Sequence, residues 1–460
     1  MTKLFGTDGI RGTPGEYPLT DEMLYKIGKA CANLLNYQKG VINSRLKIII
    51  GKDTRQSCEK IEKILTDAIS SCGIEVILAG TIPTPGLAFL TKRFKADMGI
   101  MISASHNKAT DNGIKFFSHS GHKLSQKQEK LIEKIIFNAS VELGALSLDS
   151  AGPASLPAGR QACFEEVPRI YIDFLKSKAK DLSLAGLKIT VDCAYGALSY
   201  IGPAVFQELG AEVHSANNEP DGHNINLNCG ALYPENLAKL VVKYNADIGF
   251  AYDGDGDRVI IADEEGKILD GDYIMAIIGL HLLKKDLLPK NTIVTTVMSN
   301  YGLEEAVVNA GGRLIQTDVG DRNVTETLIE NNLILGGEQS GHIVFLNHST
   351  TGDAVIVCLE ILKVMKETGK KLSELRQCMS KCPQVLINVK VKEKKPFEQI
   401  PQVWERISHC NSRLNGNGRI LVRYSGTEPV ARIMVEGKNK ELIEEIAASL
   451  AEGIKQALGE

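Results

Sequence analysis

In DGDGDR three aspartates, Asp253, Asp255 and Asp257, alternate with Gly254 and Gly256. Glycine lets a backbone fold tightly enough for three carboxylates to converge, and converging carboxylates repel unless a divalent cation sits among them. A hard, oxygen-seeking metal is expected there; the bland alternative is a solvated acidic turn. A calcium-sensor loop is excluded, because its sixth position would be Arg258 where glycine is required, and the preceding IGFAY reads as a strand rather than a helix. Mg2+ prefers a few carboxylates together with phosphate oxygens, so a phosphate is missing from the set.

MISASHN, at 101–107, can supply it. A phosphoryl group on Ser105 would bring about −1.5 to −2 charges and hard oxygens, completing the metal site and giving Arg258 an anion to contact. Ser105 is therefore expected to be a phosphoryl carrier and metal ligand. It is not expected to be an acyl-transfer nucleophile, since G-x-S-x-G is absent around it. A plain N-cap serine at a strand-to-helix turn is the structural alternative.

Two further loops carry polar groups. GEQSGH (337–342) hangs Glu338, Gln339, Ser340 and His342 on two glycines, a set suited to a polyhydroxyl ligand such as a sugar. RYSGTEP, with Arg432 shortly after, offers Arg423, Ser425, Gly426, Thr427 and Arg432: guanidinium, hydroxyl and backbone amide groups suited to a phosphate. A Walker A pattern occurs nowhere, so this is not a nucleotide loop of that type.

The elements that must position these loops follow from apolar spacing. After Thr20, Leu24, Ile27, Cys31, Leu34 and Leu35 recur at helical intervals; KIII (47–50) reads as a buried strand, Ile61, Ile64, Leu65, Ala68 and Ile69 as a helix, and EVILAG and MGIMIS as strands. Such β-α-β order predicts a mixed, mostly parallel sheet with right-handed crossovers. The same order restarts at KITVDCA and again at TIVTTVMS, and the shared lead-in of ADMGIMISASHN and ADIGFAYDGDGDR points to an internal repeat. Each unit ends in a polar loop at the carboxyl end of a strand, where open α/β sheets place their ligands.

VLINVKV, RILVRYSGTEP, ARIMVEG and an amphipathic terminal helix then read as a smaller α+β domain. The expectation is three tandem α/β domains and a C-terminal α+β domain: 1–170 with the serine loop, 171–270 with the metal loop, 271–383 with the sugar loop, and 384–460 with the phosphate loop. In AGPASLPAGRQA (151–162) eight of twelve residues are Ala, Gly or Pro, which reads as an exposed, mobile insertion without chemistry.

Composition narrows the partners. Among 460 residues 53 are basic and 56 acidic, a net charge of −3 that implies no nucleic-acid partner. MTKLFGTDGIRG has no signal-peptide pattern and no apolar stretch approaches membrane-spanning length, so a cytoplasmic protein without a membrane partner is expected. Ten cysteines stand singly, without CxxC spacing, and read as reduced thiols.

FGTDGIRG, SASHN with DNGIKFF, DGDGDRV, VGDR, GEQSGH and RxSGTEP occur together and in this order. On them the sequence resembles the α-D-phosphohexomutase superfamily over essentially its whole length, and looks most like its bacterial branch acting on glucosamine phosphates. The resemblance implies an intramolecular phosphotransferase with four domains around a central cleft, each giving one loop, and Mg2+ as cofactor. It also implies that phosphorylated Ser105 donates to O1 of glucosamine 6-phosphate. A hexose 1,6-bisphosphate, intermediate and activator, then turns around in the cleft, returns its 6-phosphoryl group to Ser105 and leaves as glucosamine 1-phosphate.

Lys115 and Arg11 are the general acid/base residues favoured by the resemblance, with His106 and His342 as neighbouring candidates; Arg11 and Lys115 are equally suited to be electrostatic clamps. Lys108, Asn323, Ala354 and Tyr424 depart from the usual motifs, and none of these departures removes a ligand. A phosphomannomutase or phosphoglucomutase would share every catalytic loop. A non-catalytic sugar-phosphate sensor would be expected to have lost Ser105 or an aspartate, yet all are present. The sequence leaves monomer and homodimer open.

Overall fold

A computed structural model of the chain describes residues 4–6, 8–39, 46–137, 166–425 and 428–459. The stretch 151–162, Cys163, Gly426 and Thr427 lie outside the described residues.

The first sheet contains β1 (Ile10–Gly12), β2 (Lys47–Lys52), β3 (Glu75–Thr81), β4 (Met98–Ile102) and β5 (Asn112–Ser118), in the order β1-β5-β4-β2-β3. A second holds β6 (Lys188–Asp192), β7 (Glu212–Ala216), β8 (Ile248–Tyr252), β9 (Val259–Asp263) and β10 (Ile268–Leu269), ordered β10-β9-β8-β6-β7. In the third, β11 (Thr292–Thr296), β12 (Arg313–Thr317), β13 (Leu335–Gly337) and β14 (Ile343–Phe345) are ordered β14-β13-β11-β12.

The three sheets repeat one plan. Two strands run parallel across a helical crossover, a third joins the first in parallel, and the chain then reverses into an antiparallel neighbour. The reversals are the polar loops: 103–111 from β4 to β5, Asp253–Arg258 from β8 to β9, and Glu338–His342 from β13 to β14. A parallel return needs a dozen or more residues, so loops this short force antiparallel pairing. Parallel and antiparallel pairings are consequently equal in the first two sheets. Each functional loop thus leaves the carboxyl end of the corresponding strand in its repeat.

Helices cover the sheets, so the central strands are apolar on both faces: every residue of Met98–Ile102 and of Ile248–Tyr252 is buried. One core joins the three units, containing Ile49, Tyr171, Ile189, Phe250, Ile293 and Leu362. Its helix Ala354–Thr368 is capped by Asp353, which accepts from the N–H groups of Val355 and Ile356.

The last unit differs. β15 (Gln384–Lys390), β16 (Gly418–Tyr424) and β17 (Val430–Gly437) form an all-antiparallel sheet ordered β15-β17-β16, with a separate core against helices Pro401–Leu414 and Lys440–Leu458. It docks on the third unit through the buried carboxylate of Glu436, which accepts from Tyr301 N–H at 3.0 Å and Asn300 Nδ2 at 3.2 Å. Among the described residues no helix is long and apolar enough to cross a membrane, and the nine described cysteines are free.

Candidate active site

Ser105 sits in the loop after β4 with φ +54°, a left-handed conformation unusual for serine. A lattice of hydrogen bonds holds it there. Arg55, buried just beyond β2, donates from Nε to Asp53 Oδ2 (2.9 Å), from Nη2 to the carbonyls of Ser105 (3.0 Å) and Asn107 (2.9 Å), and from Nη1 to those of Asp111 (3.0 Å) and Lys108. From the second unit, Asn226 Nδ2 donates to the same carbonyls of Ser105 (2.8 Å) and Asn107 (3.0 Å). Ser103 Oγ donates to Asp53 Oδ2 at 2.7 Å and accepts from Ser105 N–H at 2.9 Å. Ser105 Oγ is left aimed at the second unit, where it donates to Asp253 Oδ2 at 2.7 Å. The loop runs on into strand β5, so Ser105 caps no helix.

Asp253, Asp255 and Asp257 are 1%, 0% and 3% exposed, and one oxygen from each lies within 4.8 Å of the others. Gly256 takes φ +70° to make the turn. Gly254 can carry no side chain, because a Cβ there would come within 2.7 Å of the Ser105 carbonyl oxygen. Lys115, on β5, places its buried Nζ 2.8 Å from Asp255 Oδ2 and 3.2 Å from Asp257 Oδ2. Burial opposes its charge, but Asp255, Asp257 and Asp8 outweigh burial and hold the ammonium well above the usual lysine range. Asp253 is driven well up by burial and by its two sister carboxylates.

Asp255 Oδ1 and Asp257 Oδ1 are buried with no hydrogen-bond partner. Hard oxygen ligands so placed fit a divalent cation, and the Ser105 oxygen stands beside them.

The surrounding groups come from all three repeats. Arg11 Nη2 reaches Asp8 Oδ2 at 2.7 Å, and Nη1 lies 3.4 Å from both Ala104 O and Asn107 Oδ1. His106 Nδ1 is 3.4 Å from Ser105 Oγ; burial, with Arg258 and Arg11 nearby, lowers its pKa to about 4 and keeps the ring neutral. Arg258 donates its backbone N–H to Asp253 Oδ1 (3.2 Å), while its Nε is buried without a hydrogen-bond partner. His342 Nδ1 lies 3.7 Å from Asp257 Oδ1 and Nε2 accepts from Gly352 N–H at 3.3 Å. Glu338 accepts from Gly320 N–H at 3.1 Å and adds to the field that keeps Arg258 charged. Gln339 gives its carbonyl to Gly271 N–H at 3.0 Å, and the Ser340 residue is exposed.

The phosphate-loop residues form a cluster of their own. Arg423 and Arg432 face each other across β16 and β17. Arg432 Nη2 is 3.4 Å from Ser425 Oγ and 3.2 Å from Glu428 Oε2, and its Nε is buried with no hydrogen-bond partner. Lys394 donates to the Ser425 carbonyl at 2.6 Å.

Reasoning from residue types missed Asp53, Arg55, Asn226, Thr84 and Lys394, with Thr84 N–H donating to the Asp255 carbonyl at 2.8 Å. A signal existed for two of them: DTRQS follows the buried strand KIIIGK at the same sheet edge as the serine loop. Asn226 lies in a turn-rich stretch whose many Asn residues look alike in sequence.

Four family models, described as phosphoglucomutase/phosphomannomutase α/β/α domains I, II and III and C-terminal domain, match residues 2–142, 169–266, 270–382 and 386–453. The chain is 47% identical over 458 residues to a phosphoglucosamine mutase of Anaeromyxobacter sp. (strain Fw109-5), covering 99% of this chain and 96% of the relative. It is 47% identical over 460 residues to that of Geobacter sp. (strain M21), covering 100% and 99%. In fold it is similar to a phosphoglucomutase/phosphomannomutase family protein from Burkholderia thailandensis (TM-score 0.79, 22% identity, 99% and 97% covered). The fold is also similar to that of Aspergillus fumigatus N-acetylphosphoglucosamine mutase solved with GlcNAc-6P and magnesium (TM-score 0.65, 18% identity, 99% and 96% covered). The chain belongs to the phosphoglucomutase/phosphomannomutase family within the α-D-phosphohexomutase superfamily.

Proposed function

We propose that this chain interconverts glucosamine 6-phosphate and glucosamine 1-phosphate through a phosphorylated Ser105. The observation that carries the chemistry is Ser105 Oγ, fixed 2.7 Å from Asp253 in a buried triad with two unpartnered carboxylate oxygens. The full-length relatives named phosphoglucosamine mutase support the amino sugar over glucose or mannose.

In the first half-reaction the bond from phosphorus to Ser105 Oγ breaks as one forms to O1 of glucosamine 6-phosphate, and the O1 proton passes to a base. The 1,6-bisphosphate then turns over and the 6-phosphoryl group returns to Ser105 Oγ, with a proton delivered to O6. Asp253, Asp255, Asp257 and the Ser105 oxygen would hold Mg2+, which supplies charge neutralisation for the transferring group. Lys115 and Arg258 bring fixed positive charge to the same point, which suits electrostatic stabilisation of the transferring oxygens. Lys115 is held charged by three aspartates, which favours the clamp role at rest; Arg11, with His106 and His342, completes the proton-handling set. Glu338, Gln339, Ser340 and His342 would meet sugar hydroxyls, and Arg423, Ser425, Gly426, Thr427 and Arg432 the phosphate that is not reacting. The nine cysteines among the described residues, all free, support a reducing, cytoplasmic setting.

The test is mutase turnover with Mg2+ and a trace of hexose 1,6-bisphosphate, comparing glucosamine, glucose and mannose phosphates. A kcat/KM preference for glucosamine phosphate is expected, with Ser105→Ala inactive. Preference for another sugar would overturn the substrate, and full activity in Ser105→Ala would overturn the mechanism.

A further inference from the structure

Beyond the residues that face Ser105, a chain of alternating charges crosses the first three units. Asp8, in FGTDGIRG, accepts Arg11 (2.7 Å) and Lys115 (3.2 Å) on Oδ2, while Oδ1 pairs with Lys123. Lys123 pairs in turn with Asp321, the first residue of helix Asp321–Asn331 in the third unit. Lys115 carries the chain on to Asp255 and Asp257 in the second unit. The sequence of charges is therefore Asp321, Lys123, Asp8, Lys115, then the triad. His342 lies between the two ends, with Nδ1 3.7 Å from Asp257 and Nε2 3.8 Å from Asp321.

We propose that Lys123 is a positioning residue for phosphoryl transfer: by joining Asp8 to Asp321 it locks the third unit to the first and fixes Lys115 and Arg11 against the reacting centre. The side chains of Lys123, Asp8 and Asp321 are only 15%, 19% and 15% exposed, so salt screens these pairs weakly. Burial opposes the charge on Lys123, but Asp321 and Asp8 keep its ammonium above the ordinary range. Without Lys123, Asp8 is left to two cations on one side and Asp321 keeps a largely buried charge with no ion-pair partner nearer than His342. Both then relax toward the positive groups that remain, which for Asp8 are Arg11 at 2.7 Å and Lys115 at 3.2 Å, so the two groups beside the reacting centre are the ones displaced. The docking point is well defined: Lys123 bridges back to Phe117, and Thr350 of the third unit donates to the Gly121 carbonyl at 2.6 Å.

This rests on the reading of Ser105 and the aspartates as the reacting centre. The test is kcat and KM for glucosamine 6-phosphate in Lys123→Met, Lys123→Arg, Asp321→Asn and Glu129→Gln. Lys123→Met is expected to lower kcat about 10–100-fold while KM stays within about threefold, the signature of lost positioning rather than lost binding. Lys123→Arg, which keeps both ion pairs, recovers most of kcat. Asp321→Asn lowers kcat in the same direction and, combined with Lys123→Met, adds little, because both cut one link. Glu129→Gln weakens a neighbouring clamp between the same units, where Arg322 grips Glu129 through both nitrogens, and leaves kcat nearly unchanged.

Unchanged kcat in Lys123→Met would overturn the proposal. So would an equal fall in Glu129→Gln, which would make Lys123 one inter-unit contact among others. If Lys123→Met does not fold, Asp321→Asn and Lys123→Arg decide: wild-type kcat in Asp321→Asn overturns the proposal. If the wild type prefers glucose or mannose phosphate, the substrate reading fails instead, and the same variants on that sugar still test Lys123.

Discussion

Two clusters in this molecule are suited to phosphate, and they are built in opposite ways. Around Ser105 the groups that hold the loop are buried: Arg55 and Asp53 have fully buried side chains, and Lys115 is 2% exposed among its aspartates. Around Ser425, itself buried, the charged groups of a small antiparallel sheet stand more open: Lys394 is exposed and the Arg432 side chain is 42% exposed. Groups that stabilise a transition state must be fixed before it forms, since reorganisation during the step costs the rate. A site that must grip the 1-phosphate in one half-reaction and the 6-phosphate in the other gains from charge that tolerates either pose. The buried cluster is suited to chemistry and the exposed one to holding.

Substitutions sharpen this contrast. In the buried cluster, Asp255→Asn removes the charge of one triad carboxylate and one of the three aspartate partners of Lys115, and kcat at saturating Mg2+ should fall about 10³-fold. A loss below tenfold would detach the triad from the reaction. Next, Arg55→Met leaves Asp53 buried without its partner, so urea unfolding should show about 3–5 kcal/mol of lost stability. The strained Ser105 should then loosen, and kcat fall about 10–100-fold. Retained kcat in a destabilised Arg55→Met protein would show that the loop holds its shape without the guanidinium.

In the exposed cluster the signature should change. Arg432→Ala should raise KM about 10–100-fold, the worth of one charge-assisted hydrogen bond, with a much smaller change in kcat. The rise should be similar from either substrate direction, because the proposed role has the same arginine grip either phosphate. A kcat effect as large as that of Asp255→Asn would erase the distinction between the clusters. Ser340→Ala, at an exposed residue, should change kcat/KM by less than about tenfold, as measured by steady-state kinetics.

The contrast also separates what the sequence revealed from what it concealed. Local chemistry was legible: a glycine-spaced aspartate triplet and a serine at a strand end announce themselves because their spacing does work within one loop. The three-fold repeat was legible from apolar periodicity, and the sheet orders repeat accordingly. The reversal after each loop was not read, because DNGIKFF and IVF carry no mark of strand direction; the shortness of the loops decides it. Arg55, Asn226 and Lys123 were hidden for another reason. Each acts on a residue far away in sequence, Arg55 on Ser105, Asn226 on the same carbonyl, and Lys123 on Asp321, and such pairings exist only once the units are packed.

The most direct measurement is phosphorylation of Ser105 itself. The protein would be incubated with Mg2+ and a hexose 1,6-bisphosphate, its phosphate located by peptide mass spectrometry, and glucosamine 6-phosphate then added while the modified fraction is followed. The prediction is phosphate on Ser105, discharged as glucosamine 1,6-bisphosphate appears, and neither event in Ser105→Ala. Turnover while Ser105 stays unmodified, or phosphate transferred from another residue, would contradict the phosphoserine mechanism.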